Sequence, residues 1–234
     1  ALDAEIESAS ARQAQTATVA ASAKTAAEAA EAALAKAETE RADAQSAEAE
    51  ARAAASEAAG ELSAVRAETE SLERLLAREA GEETTLLDQV SVDPGFEAAL
   101  GAALDDELRA PLTTEGTGWA ELPDYSETPE TPEGAARLAG RVKAPPALAR
   151  RLNRTAIVDR ADGARLQASL GPGWSLVSAE GDLWRWDGYR ALAEDAPSAA
   201  AERLRQQNRL IEMRKALAEA ATISQARAAA HGEV

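Results

Sequence analysis

From Leu2 to Leu76, a walk in alternating steps of four and three residues visits twenty-two positions without a break, and seventeen of them are Ala, Leu, Ile or Val. An apolar stripe every 3.5 residues over such a length leaves one outcome, a helix that supercoils left-handedly around a partner. Alanine is frequent throughout this stretch, so the signal rests on the large residues at the two ends of the walk: Leu2, Ile6, Leu62, Val65, Leu72 and Leu76. Alanine on the seam buries little area per layer but lets two backbones approach closely. Arg41 and Glu48 also fall on the seam, where polar side chains either weaken the contact or fix its register. No proline precedes Pro94, and Gly60 alone interrupts, at a cost of roughly 1 kcal/mol against alanine. One helix of about 80 residues, roughly 120 Å long, is predicted.

A second arm starts after Pro197, with Ser198 as its N-cap and Glu202 inside the first turn. Leu210, Met213, Leu217 and Ala220 repeat the three-four step, and Leu204 and Ile211 widen the stripe. If the intervening segment returns the chain to its starting point, the two helices run antiparallel and pair with each other. The arms are unequal, so residues 1 to about 40 are expected to have no partner in this chain. Both termini fall in mid-helix, as expected of a piece of something longer.

Between the arms the chemistry changes. All seven aromatics, Phe96, Trp119, Tyr125, Trp174, Trp184, Trp186 and Tyr189, lie in this middle part together with eight of the nine prolines. Large rings carry much of a core's burial, so a packed body is expected here. The predicted organisation is an arm over 1–83, a globular domain over 84–196 and a second arm over 197–234. Leu86 to Val92 reads as a short strand, Asp93-Pro94-Gly95 as a turn, and the run from Phe96 to Leu104 as a helix. Residues 113–134 read as a polar, proline-bearing loop, "APPALARRL" as a short helix opened by prolines, "TAIVD" as a buried strand and "DGARLQASL" as a helix. "WSLVSAEGDLWRW" reads as a hairpin with glycine in its turn. An α/β (α+β) body inserted between two long antiparallel helices is the expected fold class.

Several functions are excluded. The chain carries no phosphate-binding G-x-x-x-x-G-K-[ST], no G-x-G-x-x-G and no G-x-S-x-G. It has no cysteine, and its one histidine, His231, reads as a solvated tail residue. Catalytic, cofactor and metal sites are therefore not expected, nor is a small-molecule substrate. No apolar run is long enough to span a bilayer, and no secretory signal is present. The cytoplasm is the expected compartment. A net charge of −16 opposes general attraction to nucleic acid, so any such contact needs a local patch. Residues 105–134 hold nine acids against Arg109 and read as a solvated loop, although carboxylates so spaced also suit acid-base work or a hard cation. Residues 137–160 reverse the sign, with Arg137, Arg141, Lys143, Arg150, Arg151, Arg154 and Arg160 facing only Asp159. These arginines either pair with the acidic loop before them or meet phosphate. In "GDLWRWDGY" (residues 181–189), Trp184 and Trp186 share one face of a strand, with Leu183 and Arg185 on the other. That aromatic face is either core or a meeting surface for another subunit, where Trp, Tyr and Arg are enriched.

"VSVDPGFEAALGAALDDEL" followed by "SLVSAEGDLWRWDGY", both between coiled-coil arms, resembles the hinge region of structural maintenance of chromosomes (SMC) proteins, the bacterial type above all. The family's glycine-rich stretch near the end of the hinge is replaced here by "YRALAEDAPSAAAE". The resemblance implies a hinge that folds the chain back, pairs the arms and joins two copies, in a nucleoid-associated parent whose ATPase heads lie outside this segment. On that reading the dimer surface comprises Leu183, Trp184, Arg185, Trp186, Gly188 and Tyr189. Weak, sequence-indifferent DNA contact falls to Arg150, Arg151 and Arg154, with Arg74, Arg78, Arg203 and Arg209 at the arm junction. The alternatives are a coiled-coil scaffold or adaptor whose insert binds another protein, and an enzyme domain on a helical hairpin.

Overall fold

A computed structural model describes residues 2–79, 84–125, 130–195 and 198–233. In chain order the elements are α1 (Leu2–Glu79), β1 (Ser91–Val92), α2 (Glu97–Leu104), β2 (Ala136–Arg137), β3 (Val142–Lys143), α3 (Ala149–Leu152), β4 (Thr155–Ile157), α4 (Arg160–Gln167), β5 (Ser175–Val177), β6 (Leu183–Arg185), β7 (Arg190–Ala191) and α5 (Ala199–Glu233). Single 3-10 turns occupy Leu86–Asp88, Asp105–Arg109, Leu138–Arg141 and Pro146–Leu148. The residues form two compact units, one of Ala1–Leu62 with Ala220–Val234 and one of Ser63–Glu219.

The heptad stripe accounts for what α1 covers and what it leaves open. Glu48, Ala51, Ala55, Ala58, Leu62, Val65, Thr69, Leu72 and Leu76 are all buried or half-buried, and they are the last nine steps of the walk. Residues 2–47 are exposed along their whole length. Thr69 is buried on the seam, and its hydroxyl is satisfied by donating to the Val65 carbonyl one turn back, at 2.8 Å. In the first unit, Glu48 faces His231 at 3.5 Å. His231 is thus half-buried beside a carboxylate rather than a free tail residue, because it falls on the inner stripe of α5. In the second unit Arg209 meets Glu68 at 2.9 Å and Arg214 meets Glu73 at 2.8 Å. Along α5, Leu204 and Met213 are buried while Leu210 and Leu217 are half-buried. Ile211 does not widen this stripe. It is 60% exposed, since one residue beyond Leu210 is about 100° further round the helix. Ser198 caps α5 as its residue type predicts, its hydroxyl oxygen accepting the Ala201 N–H at 3.2 Å.

The body between the arms is α+β. Its main sheet has the order β2-β4-β5-β6-β7, with β4 and β5 parallel and every other neighbour antiparallel. α4 makes the crossover between the parallel strands. One face of the sheet presents Val177 and Leu183 to a core built from Leu86, Leu100, Leu104, Leu138, Leu148 and Leu204 among others. The opposite face presents Ala156, Leu176 and Trp184, packed with Trp174 and half-buried Leu166 and Leu170. Hence β6 is covered on both sides. Two glycines permit the close approaches this needs. A Cβ at Gly163 in α4 would stand 2.5 Å from the Trp184 ring, and one at Gly101 in α2 would stand 2.7 Å from the Ala201 Cβ at the start of α5.

The expected strand over Leu86 to Val92 is largely absent. Leu86–Asp88 curls into a 3-10 turn, and only Ser91–Val92 pairs, antiparallel to β3. The cause is local: the Thr85 N–H and hydroxyl both donate to the Asp88 carboxylate, at 3.0 and 2.8 Å. The adjacent Leu86 and Leu87 are both buried in the core. The other expected elements of the body, the helix after Phe96, the "APPALARRL" turn, the "TAIVD" strand, α4 and the β5–β6 hairpin, lie where their sequences place them.

Candidate functional site

The β5–β6 hairpin and the turn after it carry the most constrained surface of the body. At the first bend Asp182 is fully buried and takes the Ser178 hydroxyl at 2.6 Å and the Ala193 N–H at 3.1 Å. The Arg160 Nε lies 3.0 Å from the same carboxylate as an ion pair, and its Nη2 donates to Glu194 at 3.0 Å. Glu194, then Asp182, hold the Arg160 guanidinium above its ordinary value. A buried carboxylate with this many partners fixes the bend and the chain leaving β7.

The second bend, Arg185 to Tyr189, is the tip. Gly188 has φ +91°, which a residue with a side chain resists, and its N–H reaches the Arg185 carbonyl at 3.1 Å. Arg185 lies over the Tyr189 ring at 5.5 Å and pairs with Asp187 at 2.6 Å. From behind, Gln167 of α4 donates its amide to the Arg185 and Tyr189 carbonyls at 2.9 and 3.0 Å, and its oxygen accepts from Arg190. Gln167 and Asp182 are the residues sequence reasoning missed. The one available signal was a glutamine four residues after Gly163, on the helix face that Leu166 and Leu170 make apolar.

The six residues expected at a dimer surface separate into two groups. Leu183 and Trp184 point into the two cores, with Trp184 only 3% exposed. Neither is free to meet a partner, since both sides of β6 are covered. Trp186 lies one residue past the end of β6 and is 46% exposed, and Tyr189 is 54% exposed. Arg185, Trp186, Gly188 and Tyr189 remain as an aromatic, arginine-bearing surface next to the edge strand β7.

The seven arginines expected at DNA also divide. Arg151 turns inward, donating from Nη2 to the Ala103 carbonyl at 2.8 Å. Arg203 has 13% of its side chain exposed and binds Asp88 at 2.6 Å. Burial pushes the Asp88 carboxyl up, but the Thr85 N–H and hydroxyl and the Arg203 charge outweigh that and hold it below its ordinary value. Both arginines are part of the packing rather than a surface, because the buried Ala103 carbonyl and the Asp88 carboxylate take their terminal nitrogens. Arg209 is held by Glu68, and Arg74 donates back to the Glu70 carbonyl of its own helix at 3.1 Å. Arg78 is exposed near the end of α1. Arg150 and Arg154 share one partner, lying over the Tyr125 ring at 4.3 and 5.5 Å. Tyr125 belongs to the polar loop before them, so these arginines do meet the loop, through a ring and a carbonyl rather than its carboxylates. Among the described residues no three His, Cys, Asp or Glu side chains cluster as a metal site, and no helix is long and apolar enough to cross a membrane.

No family model matches the chain. Over 163 residues it is 54% identical to the chromosome partition protein Smc of Cereibacter sphaeroides, covering 69% of this chain and 14% of that protein. Over 136 residues it is 41% identical to the chromosome partition protein Smc of Rhodopseudomonas palustris, 58% of this chain and 12% of the relative. The chain thus spans about one seventh or less of the length of these relatives. In structure it is similar to the SMC hinge domain of Geobacillus stearothermophilus, crystallised as an asymmetric dimer, with a TM-score of 0.56 at 14% identity over 78% of this chain and 96% of that one.

Proposed function

We propose a role for what is, by sequence and fold, a hinge segment of the SMC type: it joins two copies of a chromosome partition protein through the tip of its β-sheet. The observation that carries this is the tip itself. Trp186 and Tyr189 stand outside beside an arginine and an edge strand, the residue types that dominate interface energetics. The buried Gln167 holds that tip in a fixed shape through the Arg185 and Tyr189 carbonyls, which lowers the ordering cost of association. The globular hinge is assigned to residues 84–196, and the flanking helices act as the paired arms that carry its position to the rest of the parent.

Chromosome condensation and segregation, a cytoplasmic, nucleoid-associated setting and ATP hydrolysis elsewhere in the parent follow from the relatives' kind. For this segment we assign a non-catalytic role. A weak, sequence-indifferent DNA contact is assigned to Arg150 and Arg154, which lie side by side on one surface; Arg151 and Arg203 are left out of it. Light scattering across a dilution series tests the dimer: a mass of twice the 24.4 kDa chain is expected at micromolar concentration. A monomer at every concentration would favour an adaptor whose insert binds a different protein.

A further inference from the structure

The two arginines assigned to DNA both face the loop before them, and Arg154 also donates from Nη1 to the Pro172 carbonyl at 2.9 Å. That loop is closed at its base: the Trp119 N–H donates to the Pro111 carbonyl at 2.8 Å, the Thr113 N–H to the Trp119 carbonyl at 3.0 Å, and the Trp119 indole to the Glu107 carbonyl at 2.8 Å. From this anchor the chain crosses to Pro123, whose carbonyl accepts from Arg150 Nε at 2.8 Å and also from its Nη2. It then reaches Tyr125, the ring under Arg150 and Arg154. Residues 121–125 are exposed, so no apolar burial holds them down. Their hold is the two guanidiniums. Glu121 and Asp124 belong to the same segment and add two negative charges to it.

We propose that residues 121–125 are an autoinhibitory strap, which covers Arg150 and Arg154 and must lift before a polyanion can take them. This rests on the DNA reading above. A phosphate binds a guanidinium through charge-assisted, bidentate hydrogen bonds, whereas the strap offers a neutral carbonyl and the face of a ring. Phosphate therefore wins each contact once the strap has moved. A strap closed nine times in ten lowers apparent affinity about tenfold.

The test is fluorescence anisotropy with a short labelled DNA duplex at about 50 mM salt. Tyr125→Ala should bind roughly five- to tenfold tighter than the parent chain, and Tyr125→Phe, which keeps the ring, should bind like the parent. Adding Arg150→Glu and Arg154→Glu to Tyr125→Ala should abolish the gain. Matching thermal melts of the parent and both Tyr125 variants exclude a folding defect. A parent that binds, with Tyr125→Ala equal or weaker, overturns the strap and leaves the arginine contact standing. A gain that survives the two glutamates also overturns it. If no variant binds, the DNA reading falls and the strap falls with it.

Discussion

Trp184 and Trp186 are two residues apart on the same strand line and are chemically identical, yet one is core and the other is surface. Trp184 is enclosed because α4 presents Gly163 to it, leaving room for a ring where any side chain would collide. Trp186 lies past the end of β6, where the chain turns over Asp187 and Gly188 and no helix follows to cover it. Aromatic density therefore says where a body is built and where it meets something. It does not say which ring does which; that is decided by a glycine on another element.

The sharpest way to break this comparison is to shorten each ring. Trp184→Ala removes a buried indole and should cost about 3–5 kcal/mol in unfolding free energy, measured by urea titration of the full chain. Trp186→Ala should cost under about 1 kcal/mol in the same experiment. Equal losses would mean the two rings share one environment. Next in size is Gly163→Ala, whose new Cβ would press on the Trp184 ring. Overpacking of this kind costs about 1–3 kcal/mol, partly offset by the better helix propensity of alanine, about 1 kcal/mol. A Gly163→Ala protein more stable than the parent would show that α4 does not abut the ring.

Gln167→Ala leaves the Arg185 and Tyr189 carbonyls without their donor and should cost about 1–2 kcal/mol. Its diagnostic effect is on the tip: faster amide exchange at Arg185, Gly188 and Tyr189, with Trp184 unmoved. The smallest effect is that of pH at the arm junction. Asp88 has its carboxyl held below the ordinary value in the folded state, so its stabilisation is fully present above the unfolded value near 4 and is lost as pH falls through the folded one. Asp88→Asn should flatten the stability profile below about pH 4 and leave its slope above pH 5 unchanged.

The arms were legible because their signal is long: nine consecutive seam positions from Glu48 to Leu76 are covered, and the expected lack of a partner at the start of α1 extends to residue 47. Ser198 was legible as a cap because the residue type and the geometry are the same statement. Two-residue strands such as β2, β3 and β7 were not, since no periodicity can be read from two positions. Leu86 misled because it is buried in a 3-10 turn that the Thr85 to Asp88 contacts curl. The arginine cluster was visible as charge, but its division was not. Arg151 and Arg203 spend their donors on Ala103 and Asp88, residues 48 and 115 positions away in sequence.

The proposed hinge role requires that the tip outside β6, and not the ring beneath α4, joins two copies of this chain. Sedimentation equilibrium of the full chain and of Trp186→Ala tests it most directly, with thermal melts to confirm both are folded. The expected result is a dimer for the parent and a dissociation constant raised about thirtyfold or more in Trp186→Ala, the effect of losing a hot-spot ring of about 2 kcal/mol, with its melt unchanged. A folded Trp186→Ala that dimerises as tightly as the parent would contradict it.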